Sequence, residues 1–544
     1  MGARLDVLVV GAGPVGLTMA AELVRHGLSC RIIDKAAVPS DKSRALVLWS
    51  RSLEMLEDIA SVEPFVSAGH PVHSMSLYSG GRRLMHVVFE IDSLYGYALM
   101  LPQNDTERLL DQHLRRLGVQ VERERELTDV TVDDDGVRTN LRGANGSTES
   151  VRSDWLIGCD GAHSTVRHHL GMPFSGDAEP NDWMLADVHL AGPVPVDELT
   201  IYFHEAGVLL FFPISGQRYR VFADLGAATS DDHPPDPTLA DVQRMLDTRG
   251  PGGIVVSNPV WLAGFRIHER KVAAYRHDRV FLAGDAAHIH SPAGGQGMNT
   301  GMQDAYNLAW KLGLVQHGHA HASLLESYSL ERSAVGEAVL RNAGLLTRVA
   351  TLRGPLAQHL RNRLYRLLGS LDIVQHRMSN LLSELSINYR RSPISGEHRG
   401  LTAHAWLLGS GVASGDRAPD GELIDERTGR PTRLFEVLRG TRHVLLLFTG
   451  VAVSSDQLGP LGEVAAVADR YRETITTCFI VPDGMGRPEV ANTRVLRDPD
   501  ATLHRRYAAA LPTAYLIRPD NYVGYRSQPA DKEHFLAYLS KYLR

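Results

Sequence analysis

Apolar runs of strand length alternate with helical spacing from the start of the chain. Residues 5–10 (LDVLVV) are one such run, closed by Gly11-Ala12-Gly13-Pro14-Val15-Gly16. A helical pattern follows through Val24 and stops at Gly27, a residue suited to the position just past a helix end. Residues 28–33 form a second run, closed by Asp34 and Lys35. Strand, glycine turn, helix, strand and acid make a dinucleotide-binding βαβ unit. In that unit Gly11 makes the tight turn, Gly13 admits a pyrophosphate, and Gly16 lets helix and strand pack closely. Pro14 belongs to the same turn, and Asp34, with Lys35 beside it, is placed to hold ribose hydroxyls. The pattern alone does not separate FAD from NAD.

Further along, residues 49–59 read as a helix. Leu101-Pro102-Gln103 opens another, with Leu109, Leu110, His113 and Leu114. Asp134-Asp135-Gly136 reads as a hairpin turn. The run 155–159 ends in Asp160-Gly161. Four strand-like runs at 183–190, 199–204, 208–213 and 218–225 predict an antiparallel sheet. Residues 280–283 form a strand that meets Gly284-Asp285, then a loop with Pro292, Gly294, Gly295 and Gly297. Met298, Met302, Ala305, Ala309 and Leu312 then recur at steps of four and three, the spacing of one helical face. The N-terminus of that helix offers unpaired N–H groups and a partial positive charge. The chain stays helix-rich to about residue 390 and breaks at Arg391-Ser392-Pro393-Ile394-Ser395-Gly396. Strands are expected again at 443–448, 474–481 and 514–517.

Composition narrows the classes. A chain of 544 residues with a hydrophobic fraction of 43% holds about three or four domains. The net charge is −6 with no basic block, so a nucleic-acid partner is not expected. No apolar run approaches the ~20 residues of a membrane span. The first apolar run is cut short by Gly11, so it reads as a strand and not as a signal peptide. Cys30, Cys159 and Cys478 are far apart and form no CxxC pair, which favours a reducing cytoplasm. His317, His319 and His321 read as a solvated loop, and no metal site is expected. Gly409-Ser410-Gly411 lacks the strand–helix frame of a second dinucleotide site.

The words GDAAH, P-x-GGQGMN and DA-x-NLAWKL, between Gly284 and Leu312, resemble the second FAD-binding motif of the class A flavoprotein aromatic hydroxylases, the p-hydroxybenzoate hydroxylase group. The resemblance implies that Asp285, after Gly284, holds the ribityl chain of FAD. It puts Pro292 beside the reactive flavin edge and the backbone of Gly297, Met298 and Asn299 at the flavin N1–O2 edge, with Gly295 leaving room beside it. Ser43-Arg44-Ala45 matches the family's mobile arginine, so Arg44 and Pro292 are the residues implied at the catalytic edge. Gln103 matches the glutamine that contacts the FAD ribose–phosphate region, with Arg108 a lesser candidate. Asp160 matches the DG motif linked to FAD and NAD(P)H, with Arg167 as its partner. The sheet in 175–270 would roof the flavin, with Tyr202, Phe203, Phe211, Phe212 and also Tyr97 as substrate-pocket candidates. Arg266 and Arg270 receive no role. The ending around Arg518-Pro519-Asp520 is similar to that of the thioredoxin-like domain of phenol and polyketide hydroxylases. Without a CxxC pair, a structural or subunit-contact role is expected of it.

The fold expected is α/β. A Rossmann-like FAD-binding domain occupies 1–174 and returns at 271–395 with a helical segment, a β-sheet substrate domain is inserted at 175–270, and a thioredoxin-like domain fills 396–544. The activity implied is monooxygenation of a phenol or polycyclic aromatic polyketide. NADPH or NADH would reduce FAD, and O2 would then form a C4a-hydroperoxyflavin. Alternatives are oxidation of a non-phenolic substrate such as an antibiotic, and a non-catalytic FAD-binding scaffold. A halogenase is disfavoured because no WxWxIP stretch occurs. A homodimer is compatible with this reading.

Overall fold

The computed structural model describes residues 5–230, 233–369, 371–400, 411–451, 458–485 and 493–544. The expectation about Gly409 and Ser410 falls outside them. The chain divides into two compact units. One comprises Met1–Val24, Ser29–Ala305 and Arg332–Leu385; the other comprises Arg25–Leu28, Tyr306–Glu331 and Ser386–Arg544.

The first unit holds the βαβ start. Leu5–Val10 pairs in parallel with Cys30–Ile33 and with Thr148–Gly158, which pairs in parallel with Val280–Leu282. These strands are buried on both faces, which is why they read as unbroken apolar runs; Val7, Leu8 and Val9 are fully buried. The hairpin Arg125–Asp133 and Gly136–Gly143 extends the sheet from Thr148–Gly158. Helix Pro14–Arg25 can follow the first strand because the turn is glycine. Gly11 has φ +99°, and a Cβ on Gly16 would lie 1.9 Å from the Gly11 carbonyl oxygen.

A second, eight-stranded sheet contains Ser175–Ala191, Glu198–His204, Gly207–Ser215, Arg218–Ala227 and the long strand Val255–Lys271. It is mixed, not wholly antiparallel as the turns suggested. Glu198–His204 pairs in parallel with Ser74–Ser79, which carries Arg82–Val88 at the sheet edge. Two of its strands therefore come from before residue 175. Its side chains alternate. Tyr202, Leu209, Phe211 and Val221 pack on the face covered by helix Leu239–Arg249, while Ile201, Leu210 and Phe212 belong to the opposite face.

The second unit is built on a sheet in which His443–Phe448 runs parallel to Ile475–Pro482 and antiparallel to Thr513–Ile517. Helices Gly459–Asp469 and Lys532–Leu539 contribute Leu461, Val464, Phe535 and Leu539 to its core. Arg518 is fully buried and makes paired bonds to Glu331 (2.7 and 2.9 Å) and to Asp520 (2.9 and 2.6 Å). The Arg-Pro-Asp words are thus an internal ion-pair anchor. Among the described residues, no helix is long and apolar enough to cross a membrane.

Candidate active site

Two adjoining cavities in the first unit share Gly13, Cys159 and Gly161. The smaller, about 230 Å³, is lined by Gly11, Asp34, Lys35, Arg125 and Asp160. The larger, about 340 Å³, is lined by Pro14, Arg44, Gln103, Asp285, Pro292, Gly295, Gly297 and Met298 on one side. Phe212, Phe222 and Arg220 from the second sheet line it as well. A Cβ on Gly13 or on Gly161 would meet nothing within 4 Å, so both glycines leave the trough open between the two cavities.

Asp285 follows the strand Val280–Leu282 on a turn in which Gly284 has φ +60°. The turn is held from behind. Asp304 accepts from Gly284 N (2.9 Å), His288 Nε2 (2.8 Å) and Arg332 Nε (2.6 Å). Burial pushes the Asp304 carboxyl up, but Arg332 and His288 outweigh it and hold it below its usual range. Asp285 itself is exposed and lines the cavity, and among the described residues no hydrogen bond reaches its carboxylate. The surrounding walls desolvate it and raise its pKa. An acid held there without donors suits a ligand that brings hydroxyls.

The loop before residue 47 is braced on both sides. Ala45 N donates to Gln103 Oε1 (3.0 Å) and Gln103 N donates to Ser43 Oγ (2.8 Å). Arg220 Nη1 donates to the Arg44 carbonyl at 2.8 Å, while the Arg44 side chain is exposed and lines the cavity. Arg220 is fully buried and gripped by Asp187 through Nε (2.7 Å) and Nη2 (2.9 Å). Trp49 Nε1 donates to the Gly294 carbonyl at 2.8 Å, fixing the glycine loop.

Several expectations are corrected. Asn299 is buried, and its side-chain amide is taken up by Trp49 N, Val47 O and Gly295 O, so the side chain ties the helix start to residue 47 and only the backbone there is left for the role expected of it. Asp160 lines the smaller cavity, but its carboxylate accepts from Ser164 Oγ, Thr165 N and Val166 N. It therefore caps the short helix Thr165–His169. Arg167 bonds to the carbonyls of Ala286 and Ala162 and not to Asp160. Of the aromatic candidates only Phe212 lines the cavity. Tyr202 and Phe211 lie on the far face of the sheet, with Tyr202 stacked on Tyr78. Phe203 stacks on Tyr365 beneath helix Pro355–Leu368, and Tyr97 packs edge-on to His73. Arg108 is exposed and pairs with Asp105. Gly16 and Gly284 act in packing and turn geometry. Arg266 joins Asp182 at 2.9 Å within the sheet.

Arg220, Phe222 and Asp304 were not anticipated. The alternation of 218–227 offered a signal for the first two, because Arg220 and Phe222 share a strand face, and Arg220 pairs across with Phe212. Asp304 opens the DA-x-NLAWKL words, but their resemblance carried no role for it.

A glycine-turn βαβ unit that opens into a trough, roofed by a second sheet, defines an FAD-binding flavoprotein of the p-hydroxybenzoate hydroxylase type. A family model described as an FAD binding domain matches residues 4–343, and one described as aromatic-ring hydroxylase, C-terminal, matches residues 412–543. The chain belongs to this FAD-binding family of aromatic-ring hydroxylases. It is 35% identical over 534 residues to 6-methylpretetramide 4-monooxygenase of Streptomyces rimosus, covering 96% of this chain and 91% of that one. It is also 35% identical to rifampicin monooxygenase of Streptomyces venezuelae, over 71% of this chain and 79% of that one. The solved structure of an anhydrotetracycline hydroxylase from Streptomyces rimosus superposes with a TM-score of 0.75 at 28% identity, covering 99% of each chain.

Proposed function

We propose that this chain is an FAD-dependent monooxygenase that hydroxylates a polycyclic phenolic substrate of polyketide type, using NADPH or NADH and O2. When bound, FAD supplies the electron transfer and oxygen activation. The protein's part is to bind, orient and keep dry. Gly11, Gly13 and Asp34 would take the nucleotide half, Asp285 the ribityl hydroxyls, and Gly295, Gly297 and Met298 the ring. The start of helix Gly297–Gln316 lines the cavity, and its N–H groups stabilise negative charge there by about 1 kcal/mol. Phe212, Phe222, Leu46 and Val47 give an apolar wall against which an aromatic ring excludes water. Arg44 is the cavity's exposed cation, suited to the phosphates of a nicotinamide cofactor.

The observation that carries this reading is that Asp285, Gly295, Gly297 and Met298 line one cavity with this aromatic wall. The likeness to 6-methylpretetramide 4-monooxygenase favours the polyketide class. Purified protein should be yellow and release FAD on denaturation. With NAD(P)H, labelled O2 and a panel of polycyclic phenols, one product should gain one labelled oxygen atom. No flavin, or peroxide as the sole product across the panel, would overturn the proposal. A second reading, hydroxylation of an antibiotic, is favoured by the likeness to rifampicin monooxygenase. A rifamycin in the same panel separates the two.

A further inference from the structure

Helix Pro355–Leu368 carries a leucine stripe on its outer side. Leu356, Leu360, Leu364 and Leu367 recur at steps of four, four and three, the spacing of one helical face. They are exposed by 87, 69, 50 and 62%, and Leu371 and Ile373 beyond them by 47 and 68%. Six such side chains expose several hundred Å² of apolar surface, matching or exceeding the ~300–600 Å² of a monomer's largest patch. The helix cannot roll these leucines inward, because its other side is fastened. Tyr365 stacks on Phe203 and the Arg361 guanidinium lies 3.9 Å over the same ring. Asn362 Nδ2 donates to Ser79 Oγ at 3.0 Å.

We infer that this stripe is the contact by which a second copy of the chain docks, with the two helices antiparallel about a two-fold axis. The spacing is self-complementary. An axis passing between Leu360 and Leu364 sets Leu356 against the partner's Leu367 and Leu360 against the partner's Leu364. The exposed apolar area is of the order of the ~800 Å² that each partner contributes to a standard interface. His359, Arg363 and Arg366 flank the stripe, and residues 355–371 contain no Asp or Glu. A two-fold contact therefore brings like charges to its rim, so added salt should tighten it by screening them.

Sedimentation velocity on the full-length, FAD-loaded protein tests this. The wild type should sediment as two chains of 59.8 kDa each, increasingly so at higher salt. Leu360→Glu should sediment as one chain, with FAD content and helicity unchanged. As a second readout, Leu360→Cys with Leu364→Cys should give a covalent two-chain species under mild oxidation. A wild type that sediments as one chain, a folded Leu360→Glu protein that stays a dimer, or a double-cysteine protein that never cross-links would overturn the inference. So would a wild type that is a single chain in solution but pellets with anionic lipid vesicles.

Discussion

Arg220 Nη1 donates to the backbone carbonyl of Arg44 at 2.8 Å, so the roofing sheet holds the loop that carries the cavity's exposed arginine. The position of that loop and the charge on it are therefore separable. Arg44→Ala removes the charge and leaves the carbonyl brace in place. Anaerobic flavin reduction by NAD(P)H should slow at least about tenfold, ~1.4 kcal/mol of barrier, with FAD retained. Stopped-flow loss of oxidised-flavin absorbance measures it, and normal reduction would remove the role assigned to Arg44. Arg220→Met instead strips a buried guanidinium from Asp187, 1% exposed, with only Arg218 left at 3.4 Å. Its cost should be about 3–5 kcal/mol, read as a lower melting temperature.

Asp285 and Asp304 should fail differently. Asp285 faces the cavity with its carboxyl desolvated. Asp285→Ala should weaken FAD by ~1.5–3 kcal/mol through lost charge-assisted bonds, while the FAD-free protein keeps its melting temperature. Asp304→Ala leaves His288 and Arg332 without their shared acceptor and should lower that melting temperature. Titration of FAD-free protein with FAD, beside thermal melts, distinguishes the two. Equal FAD affinity in wild type and Asp285→Ala would sink the ribityl assignment.

How far the chain could be read from its sequence depended on whether the governing relationship was local. The βαβ unit was legible because turn, packing and acid lie within residues 5–35. The glycine loop and its helix were legible for the same reason. The aromatic wall of the cavity was not. Which of two adjacent phenylalanines, Phe211 or Phe212, faces the cavity is a matter of strand register, and nothing short of the pairing with Arg218–Ala227 decides it. Ser74–Ser79 joins that sheet in parallel across more than a hundred residues, which no local pattern announces. Asp160 is the expected residue type at the expected place, yet its carboxylate is taken up by the Ser164 hydroxyl and the backbone N–H groups of Thr165 and Val166.

Cys478 lies 1% exposed in the second unit's core, and burial pushes its thiol up to about 12. It is therefore no thiolate at neutral pH, and the domain has no second cysteine to pair with it. Cys478→Ser should leave turnover per bound FAD unchanged, while burying a hydroxyl costs about 1–3 kcal/mol of stability. Loss of turnover per bound FAD, with full FAD content and the protein still folded at the assay temperature, would mean that a redox role had been overlooked.

Glu384 accepts from Thr300 Oγ1 at 2.8 Å and from Gln303 Nε2, both on helix Gly297–Gln316, whose start lines the larger cavity. Its side chain is 1% exposed, and burial pushes the carboxyl up to about 7 against bonds from Thr300 and Gln303 and the charge of Arg332. The folded protein therefore keeps this proton over a range in which the unfolded chain has lost it. The resulting stabilisation is complete below the ordinary glutamate value of 4.5 and is lost as pH rises through about 7. The total is on the order of 3 kcal/mol. Glu384→Gln stays neutral at every pH and can still pair with Thr300 and with a flipped Gln303 amide. The variant should therefore melt above wild type at pH values beyond about 7, with the gap closing as pH falls toward about 5. Thermal melts of both proteins across that range decide it. A gap that does not change with pH would show that Glu384 is ionised throughout.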